Sequence, residues 1–338
     1  MKKPLCIFII TVLFIGICGC KSAVPEASSS RESTAVSKAL SVGESTSVHD
    51  SSTTGAAKQL GITSENYPVI DGSTSTFSIV HNIYNAMFIE NGGPADKYPA
   101  KASKTVPSYN LLIDGKADMV IVPYASADIL NQAKAKGVTL EFNRIAKEAL
   151  IFITSIENPA ENITAEQVRN IYLDNAIDNW KEIGGPDKKL VPICRNADSG
   201  SQSQMDNLIL NHEKMHPDII KNYVELTMED MLYLVAFYHG GGIDNPPTES
   251  YALGYTLYTY LQTDNNITGI GDHLKILAFD GITPNQESLA TGEYSLTDGY
   301  YAVIRSDLPE DHPARAIIDW LHGDGVFTIA NLGLIASN

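Results

Sequence analysis

Residues 190–202 read LVPICRNADSGSQ. The first six form a strand-like run, apolar over residues 190–194 and ending at Arg195, with the length of a buried strand. A short loop with Asp198 and Gly200 follows, and the hydroxyl-bearing Ser199 and Ser201 stand where a helix begins. Residues 67–77 repeat this order, with a strand-like run to residue 70 and then DGSTSTF. A strand, a glycine-containing loop and a hydroxyl-rich helix start therefore occur twice.

Strands and helices alternate through the rest of the chain. Further strand-like runs lie at residues 119–123, 149–155, 274–279 and 300–304. Apolar residues recur at helical spacing in residues 77–88, 165–173, 205–212 and 314–321. Thr164 is placed to cap the second of these helices. The alternation predicts an α/β fold with largely parallel sheets.

Composition excludes several classes of protein. The 338 residues are 43% hydrophobic, enough for a core, so a disordered chain is excluded. Lys and Arg total 24 against 40 Asp and Glu, a formal charge of −16. A chain this acidic is a poor partner for nucleic acid or anionic lipid. Four cysteines do not make a disulfide-built scaffold.

The N-terminus has the pattern of a targeting signal. Lys2 and Lys3 precede an apolar run over residues 5–19, which is short for a membrane span. The following Cys20 resembles the lipid-bearing cysteine of bacterial lipoproteins; a plain signal peptide is the alternative. We expect a signal peptide over residues 1–19, lipid on Cys20, a flexible Ser/Thr-rich tether over residues 20–59, and no disulfide partner for Cys194.

Both hydroxyl-rich helix starts have the chemistry of an anion site. The first N–H groups of a helix have no partner within it, and the helix dipole is positive there. Hydroxyl groups add donors without bulk, and the planar guanidinium of Arg195 suits a tetrahedral oxyanion. Ser and Thr at such positions are more often simple helix caps, so either loop alone leaves the function open.

Several motifs, in order, resemble the phosphate-binding proteins of ABC importers. They are ITAEQVRNIY at residues 163–172, NWKEIGGPD at 179–187, and the segment 195–201, with weaker matches at 72–77, 115–118, 270–285 and 292–296. The resemblance covers roughly residues 65–335. It implies a type II periplasmic-binding-protein fold, in which two α/β lobes are joined by two hinge strands and hold the ligand between them.

The resemblance also implies lobe boundaries and site residues. Lobe one takes residues 60–152 and 300–338, and lobe two takes residues 153–299, with hinge strands at 149–155 and 300–304. The implied ligand-binding residues are Ser75, Thr76, Phe77, Thr105, Arg195, Ser199, Gly200 and Ser201. Some members of the family have an aspartate that accepts the proton of phosphate where this chain has Pro123 and Tyr124. The sequence therefore leaves phosphate and other tetrahedral oxyanions open.

The implied function is a monomeric solute-binding lipoprotein. It would capture inorganic phosphate and deliver it to the permease of an ABC importer at the extracytoplasmic face of the bacterial cell membrane, held there by its lipid alone. We expect no catalysis, cofactor, metal or nucleic acid. The alternatives are a binding or sensory protein of the same fold for an anion such as sulfate, and a zinc protease.

Two short enzyme motifs bear on these alternatives. Residues 212–216 read HEKMH, which fits the HExxH pattern of zinc proteases. Residues 239–242 read HGGG, as in esterase oxyanion loops, but the chain contains no G-x-S-x-G nucleophile motif. We expect the first to be a polar helix end and the second a glycine-rich loop. Tyr251, Tyr255, Tyr258 and Tyr260 are expected to pack in a core or on the surface.

Overall fold

The computed structural model describes residues 55–88, 93–222, 224–238 and 250–337. The predicted signal peptide, Cys20, most of the tether and the HGGG motif lie outside these residues. In the described part of the chain, no helix has both the length and the apolar character needed to cross a bilayer. The fold begins earlier than predicted, because the short helix Ala56–Gln59 packs the fully buried Ala57 into a hydrophobic cluster.

The described elements follow in chain order. The strands are β1 Ile70–Gly72, β2 Met119–Pro123, β3 Leu140–Ser155, β4 Asn162–Ile163, β5 Lys189–Pro192, β6 Cys194–Arg195, β7 Val224–Glu225, β8 Ser250–Leu257, β9 Leu274–Ile276, β10 Ala278–Phe279, β11 Thr297–Arg305 and β12 Ile335–Ala336. The helices are α1 Ala56–Gln59, α2 Phe77–Met87, α3 Thr105–Ile113, α4 Ala127–Ala135, α5 Ala165–Tyr172, α6 Gly200–Met205, α7 Pro217–Asn222, α8 Met228–Ala236, α9 Tyr258–Thr268, α10 Gln286–Thr291, α11 Pro313–His322 and α12 Phe327–Ala330.

The central sheet is mixed, which corrects the prediction of largely parallel sheets. Its main strands lie in the order β1–β2–β11–β3–β8–β5, and β9 and β12 also pair with β3. The outer pairs β1–β2 and β5–β8 are parallel, whereas β2–β11, β11–β3 and β3–β8 are antiparallel. β11 returns the chain from the second half of the molecule, so it runs opposite to β3, which leaves the first half.

Two strands connect two hydrophobic cores. On β3, Ile145 and Ala146 belong to a first cluster, and Leu150 belongs to a second. The chain returns through the start of β11, because Leu296 packs in the second cluster and Tyr300 in the first. The fold is therefore α/β with two lobes joined by two strands, which confirms the predicted class. The exact lobe boundaries stay predictions.

Helices cover both faces of the sheet in the first lobe. Met119 and Ile121 of β2 pack in the cluster that includes α2 and α11. Val120 and Val122 pack with apolar residues of α3 and α4. Successive side chains of a strand point to opposite faces, so a fully apolar β2 is what a sheet covered on both sides requires.

The α5 helix begins where the sequence predicted. The Thr164 hydroxyl accepts a hydrogen bond from the Gln167 N–H (3.2 Å), and the Gln167 side chain accepts one from the Thr164 N–H (2.9 Å). This reciprocal capping box satisfies two main-chain donors at the helix end. It fixes the start of an element in the second lobe.

Candidate functional site

A cavity of about 270 Å³ lies between the two lobes. Both hydroxyl-rich loops contribute to its wall, and so does the start of α3. Its lining residues are 73–75, 104–105, 195–196, 198–200, 226–229 and Tyr260. The two loops that the sequence singled out therefore meet at one site.

The first loop joins β1 to α2 through the 3₁₀ turn Thr74–Thr76. The Ser73 N–H donates to the Ile121 carbonyl (3.3 Å), which ties the loop to β2. A Cβ at Gly72 would lie only 3.0 Å from the same carbonyl, so glycine permits this close approach. The positive end of α2 is thereby placed beside the cavity.

The second loop joins β6 to α6, with Ser199 at the N-cap position. The Oγ atoms of Ser199 and Ser201 lie 2.9 Å apart. The buried Tyr255 hydroxyl accepts a hydrogen bond from the Arg195 N–H (2.9 Å) and donates one to the Gln202 side chain. Tyr255 thus holds the end of β6 and the start of α6 together.

Arg195 is the buried cation of the cavity wall, with only 6% of its surface exposed. Its Nε and Nη2 donate to the main-chain oxygens of Glu225 (3.3 Å) and Leu226 (3.4 Å). Within the described residues, its buried Nη1 has no hydrogen-bond partner. Burial lowers the pKa of Arg195, because the charged form loses hydration. A buried donor without a partner costs about 1–3 kcal/mol, and more when it is charged, so this nitrogen favours a bound anion.

The two lobes touch at the cavity. A Cβ on Gly200 would lie 2.7 Å from Pro123 Cγ and 2.9 Å from Thr105 Oγ1. Nearby, the Asn207 side-chain amide donates to the Ala125 carbonyl (3.2 Å). Glycine at position 200 therefore permits the second loop to approach the first lobe this closely.

Five of the predicted ligand-binding residues line the cavity: Ser75, Thr105, Arg195, Ser199 and Gly200.

The other three predicted ligand-binding residues are not among those that line it. Thr76 is fully buried, and its hydroxyl donates to the Ile121 carbonyl. Ser201 is fully buried beside Ser199. Phe77 packs its ring 4.3 Å from the ring of His81. Roles for these residues in ligand binding stay predictions.

Sequence reasoning missed the wall formed by residues 226–229 and Tyr260. Thr227 caps α8, since its hydroxyl accepts from the Asp230 N–H (3.0 Å). A Thr three residues before an Asp is a recognisable helix-start signal, but it does not predict that this helix reaches the site. Tyr260 packs against the hydrophobic cores, as the sequence predicted, and it also lines the cavity, which the sequence did not predict.

The region of Pro123 and Tyr124 is apolar. Pro123 ends β2 against Gly200, and the Tyr124 ring lies 4.6 Å from the ring of Phe142. The carboxylates of the cavity wall are instead Asp198 and Glu229, and both residues are exposed.

The HExxH reading is wrong in this structure. The helical segment ends at Leu210, and Asn211 and His212 have left-handed φ values of 49° and 65°. His212 and His216 are therefore not one turn apart on a helix. Glu213 pairs with Arg169. No cluster of three or more potential metal ligands occurs within the described residues.

Comparison with known families identifies the fold. Residues 51–323 match the family model described as a PBP superfamily domain. The chain belongs to the PBP superfamily. This match spans both lobes and both hydroxyl-rich loops.

Two curated relatives carry the name phosphate-binding protein PstS. The chain is 30% identical over 176 residues to the one from Borreliella burgdorferi, covering 52% of this chain and 58% of the relative. It is 23% identical over 181 residues to the one from Bacillus subtilis, covering 53% and 52%. The matched part is thus little more than half the length of either relative.

Two solved structures share the fold. A protein from Clostridium perfringens, assigned as a phosphate ABC transporter substrate-binding protein and holding phosphate, has a TM-score of 0.56 at 19% identity, covering 80% of this chain and 98% of that one. An ABC-type phosphate transport receptor from Vibrio cholerae has a TM-score of 0.56 at 22% identity, covering 80% and 99%. At these identities the likeness shows the fold alone.

Proposed function

We propose that this chain binds inorganic phosphate in the interlobe cavity and delivers it to the permease of an ABC importer. The observation that carries the proposal is the buried Arg195, whose Nη1 has no partner among the described residues and lies at a cavity between two helix-start loops. The names of the PstS relatives support phosphate as the anion. The two solved structures of the same fold, described as an ABC transporter substrate-binding protein and an ABC-type transport receptor, support an importer as the partner. In this role the chain is a binding protein and not an enzyme.

The proposed cycle follows from the two lobes. An anion that contacts Ser75 and Thr105 on one lobe and Arg195 and Ser199 on the other stabilises the closed arrangement, since neither half alone completes the site. Closure also removes water, which strengthens each hydrogen bond to the anion. Opening at the permease would release it.

Isothermal titration with phosphate tests this proposal on the full chain purified in detergent. We expect wild-type protein to bind phosphate and Arg195→Ala to bind at least about a hundredfold more weakly, because a charge-assisted contact of several kcal/mol is lost. Arg305→Ala is the matched control: Arg305 pairs with Asp307 and does not line the cavity. Phosphate binding that survives in Arg195→Ala would show that the anion lies elsewhere.

Sulfate is the alternative ligand. The apolar Pro123 and Tyr124, which stand where some relatives have a carboxylate, favour this reading because they would not repel an anion that carries no proton. A second titration with sulfate decides between the two anions. Sulfate binding as tight as phosphate binding would favour a general oxyanion-binding role.

We further propose that the protein is a monomer held by lipid on Cys20 at the extracytoplasmic face of the membrane. The basic, apolar and small-residue pattern of residues 2–20 supports this placement. Mass spectrometry of the N-terminal peptide should show a diacylglyceryl modification in the wild type and not in Cys20→Ala. An unmodified Cys20 in the mature protein would contradict it.

A further inference from the structure

The hydroxyl groups of the first loop form a chain with a defined direction. Thr76 Oγ1 donates its hydrogen to a main-chain carbonyl, that of Ile121 or, at 3.2 Å, that of Ser73, because a carbonyl oxygen only accepts. Thr76 Oγ1 also lies 3.0 Å from Ser73 Oγ. Since the hydrogen of Thr76 is already used, Ser73 is the donor of this second bond.

Counting the one hydrogen of each hydroxyl also fixes the direction of the next hydrogen bond, between Ser73 and Ser75. A serine hydroxyl has one hydrogen and two lone pairs. Ser73 gives its hydrogen to Thr76, so in the 3.2 Å contact between Ser73 Oγ and Ser75 Oγ the donor is Ser75. The hydrogen of Ser75 therefore points into the protein. Its lone pairs are left for the cavity, whose wall Ser75 helps to form.

We propose that Ser75 distinguishes protonated from unprotonated tetrahedral oxyanions in this site. Near neutral pH, phosphate still carries a proton and donates it to the Ser75 oxygen as a hydrogen bond. Sulfate carries none and meets only the Ser75 lone pairs, which repel its oxygens. Ser75 thereby takes the role for which Pro123 and Tyr124 offer no carboxylate. This inference rests on the proposed oxyanion function and narrows its ligand class to protonated oxyanions.

The test is the ratio of the dissociation constants for sulfate and phosphate, measured by calorimetry on the full chain in detergent. Ser75→Ala should weaken phosphate binding about tenfold or more and leave sulfate binding unchanged or tighter, because it removes an acceptor that only phosphate uses. Ser78→Ala is the matched control, since Ser78 is an exposed serine on α2 that does not line the cavity. It should leave both constants unchanged.

A second pair of variants tests the direction of the chain without touching the wall. Thr76→Val removes the hydroxyl that fixes Ser73 and keeps the β-branched shape of the side chain. In Thr76→Val, Ser73 can donate to Ser75, which frees the Ser75 hydrogen for sulfate. The dissociation constant for sulfate should therefore fall relative to that for phosphate. Thr76→Ser restores a hydroxyl and should restore the wild-type ratio. Unfolding followed by circular dichroism identifies any variant that has lost its fold.

The outcomes separate this inference from the proposed function. Two results would overturn the acceptor role of Ser75. One is an equal loss of affinity for both anions in Ser75→Ala, and the other is an unchanged ratio of the sulfate and phosphate dissociation constants in folded Thr76→Val. Wild-type protein that binds sulfate as tightly as phosphate would also overturn it while leaving oxyanion binding intact. Wild-type protein that binds neither anion would refute the proposed function itself.

Discussion

Replacing Gly200 by alanine perturbs the contact between the lobes without changing any charge. The added Cβ would lie 2.7 Å from Pro123 Cγ, whereas ordinary contacts begin at 3.4 Å, so the second loop must retreat by about 0.7 Å. The Thr105 hydroxyl, at 2.9 Å, blocks a sideways adjustment. Overpacking of this kind costs about 1–3 kcal/mol. The strain exists only while the lobes are closed, so affinity for the anion should fall about 5- to 150-fold.

The stability of Gly200→Ala without ligand should not fall with its affinity. Gly200 is the first residue of α6, where alanine improves helix propensity by up to about 1 kcal/mol. Calorimetry should therefore show weaker phosphate binding, while thermal unfolding without ligand shows no loss of Tm. Gly323→Ala is the control, because its Cβ would meet its nearest neighbour at 3.5 Å. An unchanged dissociation constant in Gly200→Ala would refute the argument that closure needs glycine here.

Three further predictions concern pH, capping and charge. Burial raises the pKa of Asp206 to about 6. The contribution of the protonated carboxyl to the free energy of unfolding is therefore fully present below about pH 4 and is lost as pH rises through 6. Asp206→Asn should remove that decline, at most about 3 kcal/mol, in denaturant titrations at pH 4 and 7; an unchanged pH profile would contradict it. Thr164→Ala should lower the free energy of unfolding by about 1 kcal/mol in urea titrations, because α5 loses its cap, and a change below about 0.3 kcal/mol would argue against it. The net charge of −16 repels an anion, so the association rate in stopped-flow experiments should rise with salt; a falling rate would mean that a local positive field dominates.

Local signals in the sequence predicted the elements that depend on nearby residues. The apolar face of α2 gives it a helical period, and Thr164 with Gln167 marks the start of α5. The two hydroxyl-rich loops could be found because each combines glycine, hydroxyl groups and a helix start within a few residues. Arg195 stood out because it lies at the end of its strand, directly before such a loop.

Long-range packing determined what the sequence did not reveal. The direction of β11 relative to β3 depends on where the chain returns from the second lobe, which no local pattern encodes. β8 was missed as a strand: it is almost wholly buried and contains Gly254, where a Cβ would lie 2.8 Å from Met231 Sδ of α8. Tyr260 reaches the cavity because α9 follows β8, so its role could not be predicted before β8 was placed.

The charges of the cavity wall explain why the site depends on hydrogen-bond geometry. Arg195 and Lys104 are balanced in formal charge by Asp198 and Glu229, and the chain as a whole is strongly acidic. Attraction to a general positive field therefore cannot hold an anion here. Lys104, Asp198 and Glu229 are exposed and screened by water, whereas Arg195 is buried and keeps its full effect at short range. A site built in this way selects its ligand by the directions of its donors and acceptors, which is why the orientation of one buried hydroxyl chain at Ser75 is sufficient to separate two anions of the same shape.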